Sequence, residues 1–130
     1  MEDCIFCKII KKDIPSFIIY EDDKLIVFLD IKPSTNGDLL LIPKKHQCDI
    51  LEIEGDFINH ALNIIKEKIY PILKEKLHCD GLTLVQNNGY GQDIKHFHIH
   101  LTPRYIDDGL RHVFNKEQLL PLEDIFNKLK

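Results

Sequence analysis

A chain of 130 residues, 44% hydrophobic and 29% charged, is long enough to bury a core, so residues 1–130 are expected to form a single domain. The net charge of −4 and the scatter of the 17 basic residues exclude a basic stripe gripping a nucleic-acid backbone, though a small anionic ligand stays open where a few polar groups converge. No apolar run reaches the roughly 18 residues of a membrane span, and Met1 to Cys4 lack the layout of an export signal, so a cytoplasmic protein with reduced thiols is expected.

Residues Cys4 to Lys12 suit a short helix, ended by Asp13-Ile14-Pro15-Ser16. Within it Cys4-x-x-Cys7 reads as a metal clip, whereas Cys48 and Cys79 read as buried thiols. Phe17 to Tyr20 and Leu25 to Leu29 flank the charged Glu21 to Lys24, the layout of a hairpin with a four-residue loop. Pro33-Ser34-Thr35-Asn36-Gly37 is the strongest turn signal and leads into Leu39 to Ile42, a central strand buried on both faces and stopped at Pro43. From Asp56 to Leu77 the residues Phe57, Ile58, Ala61, Leu62, Ile65, Ile69 and Leu73 recur at helical spacing, and Pro71 should kink or split this one long helix. A strand over Leu82 to Gln86 runs into the polar loop Asn87 to Gln92, and another follows over His96 to Leu101. Beyond Arg104 the pattern weakens, although Leu122 to Leu129 suits a terminal helix. The sum is an α+β fold with a largely antiparallel sheet, one long helix and short terminal helices.

The run His96-Phe97-His98-Ile99-His100-Leu101 carries the chemistry. Successive strand side chains alternate between faces, so the three imidazoles share one face about 7 Å apart while Phe97, Ile99 and Leu101 enter the core. Buried imidazoles need hydrogen-bond partners, so three in register beside a glycine-containing loop are hard to explain by packing. Imidazole is nucleophilic while neutral near pH 7 and can attack phosphorus without a separate base. In the preceding loop, Gly89 and Gly91 allow close backbone approach, and Asn87 and Gln92 carry amide donors.

The segment Gly91 to Arg104, with its His96-x-His98-x-His100 core, resembles the signature of the histidine triad (HIT) family of nucleotide-binding hydrolases and transferases. Cys4 to Ile10, Ile14-Pro15, Tyr20 to Asp23, Phe28 to Ile31 and Leu41 to His46 are similar, in order, to the amino-terminal half of its purine-nucleotide-binding phosphoramidase branch. The resemblance implies that His98 is the nucleophile taking the nucleoside monophosphate from the α-phosphorus, after which water hydrolyses the nucleotidyl-imidazole. It also implies that His100 contacts the phosphate and leaving group, and that Asn87, Gln92 and backbone amides near Gln92 and Asp93 hold the phosphate. Asp30 matches the ribose-hydroxyl acceptor, and Ile5, Phe6, Ile9, Ile14, Phe28 and Ile31 match the apolar base pocket. In metal-binding members, His46 and His96 would join Cys4 and Cys7 in a closed structural zinc site, and a homodimer is implied. Asp93 stands where the family pattern has serine or threonine, and Asp38 where it often has histidine. Two rivals remain at this stage: a metalloenzyme ligated by His96, His98 and His100, and a nucleotide-binding module without catalysis.

Overall fold

The continuous apolar runs of the sequence become the middle of a five-stranded sheet. In the computed structural model, residues 3–109 and 115–130 are described. The elements are α1 (Ile5–Ile10), β1 (Ile18–Glu21), β2 (Leu25–Leu29), β3 (Leu39–Pro43), α2 (Gly55–Ile64), a π turn (Ile65–Ile69), α3 (Tyr70–Leu77), β4 (Gly81–Gln86), β5 (Ile99–Arg104), a 3₁₀ turn (Lys116–Gln118) and α4 (Leu122–Leu129). The strand order is β1-β2-β3-β5-β4 and every described pairing is antiparallel. The α+β expectation therefore holds, and β3 is the central strand, with all five of its residues buried. No helix among the described residues is long and apolar enough to cross a membrane.

Alternation along these strands builds two apolar layers. Leu25, Val27, Leu39, Leu41, Phe97, Ile99 and Leu101 pack against Phe57, Ala61, Ile64, Ile65, Ile69 and Leu73 of the long helical segment. On the opposite face Ile26, Phe28, Leu40 and Ile42 pack against Phe6 and Ile9 of α1. Full burial of such a side chain stabilises the fold by about 1.5–3 kcal/mol. The long helix does not break at Pro71. Proline removes one backbone donor and clashes with the preceding turn, and the wider π turn, in which the Tyr70 N–H donates to the Ile65 carbonyl, sits directly before it.

The first hairpin is tighter than its four-residue loop suggested, because Glu21 belongs to β1. Asp22 organises the turn: Oδ1 accepts the N–H groups of Lys24 and Leu25 at 2.8 and 3.0 Å, and Oδ2 accepts the Tyr20 hydroxyl at 2.9 Å. His60 of α2 lies 2.7 Å from the same Oδ2, so one carboxylate ties the hairpin to the helix. Burial alone would raise the Asp22 pKa, but the Lys24 N–H, His60, Tyr20 and the Leu25 N–H outweigh it and bring it down to about 2.

The sharpest departure is at the histidines. β5 begins at Ile99, three residues later than expected, and runs on to Arg104. Pro43 ends β3 without an N–H to offer the ladder. There the chain instead pairs sideways, with the Phe97 N–H donating to the Gln47 carbonyl at 2.6 Å. Cys79 is buried as expected, whereas Cys48 is half-exposed. The helix α4 falls where the pattern placed it, with every residue exposed.

Candidate active site

The face of the sheet carrying α1 is only partly covered. Between α1, the Asp30–Asp38 turn and the outer ends of β4 and β5 lies a cavity of about 640 Å³, within the usual range for small-molecule sites. Its wall is largely apolar, and Ile5, Phe6, Ile9, Ile14, Phe28 and Ile31 all line it. So do Asp30, Asn87, Asp93, His98 and His100.

Gln92 does not line the cavity. It is buried, its Nε2 donates to the Cys48 carbonyl at 2.6 Å, and its Oε1 accepts the Gly89 N–H at 3.3 Å. Its amide is therefore spent on bracing the 87–92 loop. Sequence reasoning also missed Leu40, Thr83, Val85, Ile94, Thr102 and Asp38 in the wall. Leu40 and Val85 are the cross-strand partners of His100 and so must share its face. That signal lives in the strand register, which a single sequence does not display.

His96 and His98 keep the alternation although they precede the ladder, since Phe6 meets both rings edge-on at 5.7 and 5.2 Å. Their hydrogen bonds make them chemically different. His98 Nδ1 lies 2.7 Å from the His96 carbonyl oxygen. A carbonyl only accepts, so Nδ1 carries the proton and Nε2 keeps a free lone pair. Burial pushes the His98 pKa down, opposed by the His96 carbonyl, lowered further by His100 and opposed again by Asp93 and Asp30, leaving a neutral ring at pH 7. The His100 ring stands 5.0 Å from it. A neutral imidazole with one nitrogen anchored and the other free can act as a nucleophile.

His96 is anchored the other way round. It is completely buried, and Nε2 donates to the Pro43 carbonyl at 2.8 Å, which leaves Nδ1 bare. That Nδ1 is 3.4 Å from Cys4 Sγ and 3.7 Å from Cys7 Sγ, while Cys7 Sγ is 3.2 Å from His46 Nδ1. The four ligand atoms lie within 4.8 Å of one another and could hold a metal ion. α1 sets up half of this cluster: Cys4 is its N-cap and its sulfur accepts the Cys7 N–H, which turns both thiols the same way. This group is the only convergence of three or more candidate ligand side chains among the described residues. The geometry corrects the idea of three histidines sharing one metal, because His96 faces the cysteines and His98 and His100 are outside the group.

Comparison with known proteins points the same way. Residues 11–107 match the family model described as HIT domain. The chain is 40% identical over 103 residues to the adenosine 5′-monophosphoramidase of Saccharomyces cerevisiae, covering 78% of this chain and 62% of that protein. It superposes on the crystal structure of a HIT family protein from Bacillus anthracis with a TM-score of 0.84 and 36% identity, covering 98% of this chain and 93% of the other. A zinc-bound histidine triad family protein from Mycobacterium smegmatis has 32% identity and a TM-score of 0.79, covering 88% and 84%.

Proposed function

This chain belongs to the HIT domain family, and from that premise we propose that it hydrolyses purine nucleoside phosphoramidates, or related nucleotidyl esters and anhydrides, through a nucleotidyl intermediate on His98. One observation carries the reading: the His98 Nδ1–H is fixed on the His96 carbonyl, so a neutral Nε2 faces a nucleotide-sized cavity. The yeast relative's activity on adenosine 5′-monophosphoramidate supports the substrate class.

In this reading the base lies among Ile5, Phe6, Ile9, Ile14, Phe28 and Ile31, Asp30 accepts the ribose hydroxyls, and Asn87 and His100 hold the phosphate. The backbone around Gln92 and Asp93 helps, with the Gln92 side chain acting as a loop brace. His98 Nε2 forms a bond to the α-phosphorus as the bond to the leaving group breaks. The proton on Nδ1 stays with the His96 carbonyl, which steadies the charge that develops on the ring. Water then attacks the same phosphorus, breaks the P–N bond and restores neutral His98 with release of the nucleoside monophosphate.

Zinc fits the Cys4, Cys7, His46 and His96 cluster. With Zn–S near 2.3 Å and Zn–N near 2.0 Å, a tetrahedron has S-to-N edges of about 3.5 Å, against the 3.2–3.7 Å found between these atoms. The His96 Nε2–H bond to the Pro43 carbonyl is the kind of outer contact that orients a ligating imidazole. Zinc there would be structural, clamping α1 to the segment that carries His98. A single domain over residues 1–130, a homodimer and a cytoplasmic location complete the reading. The outer edge of β4 and the exposed Leu84 suit a self-pairing surface, and the four free thiols suit a reducing compartment.

The test is brief exposure to adenosine phosphoramidate, then intact-mass and peptide mapping. A nucleotidyl mass shift on His98, absent from His98→Ala, is the expected result. Nucleotide binding with neither adduct nor turnover would leave a non-catalytic binding module instead.

A further inference from the structure

Asp38 is a carboxylate buried to 4% exposure in the wall of the nucleotide cavity, and the mechanism above gives it no task. Its contacts join the turn that presents Asp30 to β5. Oδ2 accepts the Ser34 N–H at 2.9 Å, and its own carbonyl accepts the Asp30 N–H at 3.0 Å. Oδ1 accepts the Thr102 hydroxyl of β5 at 2.8 Å. A second bond joins the same two pieces, from the Thr35 hydroxyl to the Pro103 carbonyl at 2.7 Å. Beneath the turn, Gly37 has φ +89°, and a Cβ there would come within 2.5 Å of Leu77 Cδ1, so the loop is wedged as well as bonded.

We propose that Asp38 is a positioning residue that fixes the Asp30 carboxylate relative to the histidine-bearing strand, so that recognition of the ribose hydroxyls depends on the Asp38–Thr102 contact. The inference rests on Asp30 being the ribose contact. Thr102 and His100 lie two residues apart on β5, so both project from one face and the latch holds Asp30 in register with the phosphate end of the site. Both Asp38 oxygens are engaged inside the protein, which marks it as a brace rather than a ligand group. Alanine at 38 removes the acceptors of both the Ser34 N–H and the Thr102 hydroxyl, whereas asparagine would still donate its amide N–H to the threonine oxygen.

The experiment measures the affinities of adenosine monophosphate and its 2′,3′-dideoxy analogue for wild type, Asp38→Ala, Thr102→Val and Thr102→Ser, with melting temperatures alongside. A hydroxyl-to-carboxylate hydrogen bond predicts a wild-type preference for the ribose form of about tenfold or more. The preference should fall towards onefold in Asp38→Ala and Thr102→Val, chiefly by weaker binding of the ribose form, and persist in Thr102→Ser, which keeps the hydroxyl. A merely structural role would shift the melting temperatures and leave that ratio intact, which would overturn the proposal. A wild type that does not distinguish the two nucleotides would refute the assignment of Asp30 to the ribose and the latch with it. Should Asp38→Ala not fold, the two Thr102 variants decide the matter alone.

Discussion

The two faces of the sheet are built from the same strands by opposite means. One face closes on the long helix through aliphatic and aromatic side chains, with Asp22 and His60 as a polar tie at its edge. The other closes only where α1 sits, through a smaller apolar cluster around Phe6 and Ile9, with two cysteines and two histidines gathered beside it. The helix face stores stability, while the cavity face keeps room for a ligand and holds its shape with directional contacts. Alternation lets one strand serve both: Ile99 and Leu101 look into the core while His98 and His100 look into the cavity.

If that division is right, damage on each face should appear in different measurements. His98→Ala should lower turnover by about 10⁴-fold or more, measured by product release, with a smaller change in unfolding midpoint than any large truncation on the helix face. Next in size, Leu101→Ala removes a side chain with 0% exposure and should cost about 2–5 kcal/mol in urea denaturation. Its folded fraction should retain nucleotide affinity, and a large affinity loss would break the division of labour.

Stripping metal from the Cys4, Cys7, His46 and His96 cluster should lower stability by about 3–4 kcal/mol when the metal had been present at a hundred- to a thousandfold over its Kd. Calorimetry and thiol labelling of Cys4 and Cys7 would follow it, and unchanged labelling after chelation would argue against metal at that site.

The smallest effect concerns acid. Asp22 has its pKa lowered from 3.8 to about 2, so its contribution is fully present above about pH 4 and lost as pH falls through about 2. That amounts to about 2 kcal/mol between the two limits. Asp22→Asn should flatten this part of a stability profile measured by denaturation at successive pH values.

Much of this was legible in the sequence because periodicity survives details of pairing. The alternation from His96 to Leu101 assigned each side chain to its face even though the first three residues lie outside the ladder. The late start of β5 was not legible, since it follows from Pro43 ending the neighbouring strand and from a backbone bond between Phe97 and Gln47, 50 positions apart in the chain. The six apolar residues that the resemblance assigned to a base pocket all line the cavity. Gln92 looked like a ligand group because an amide in a polar loop reads the same whether it faces a phosphate or the Cys48 carbonyl. Asp38 could not be read at all, as its meaning depends on Thr102, far along the chain.

The π turn before Pro71 also sets the phase of everything that follows it. Leu73 and Leu77 of α3 reach the spot beside Gly37, where an added Cβ would press on a Leu77 methyl and strain a backbone at φ +89°. Deleting a single residue between Ile65 and Ile69 would turn α3 by about 100° about its axis, carrying both leucines off the bend at Gly37. An irregularity on the far side of the sheet would thereby be felt as slackness in the bend that carries Asp30 into the cavity.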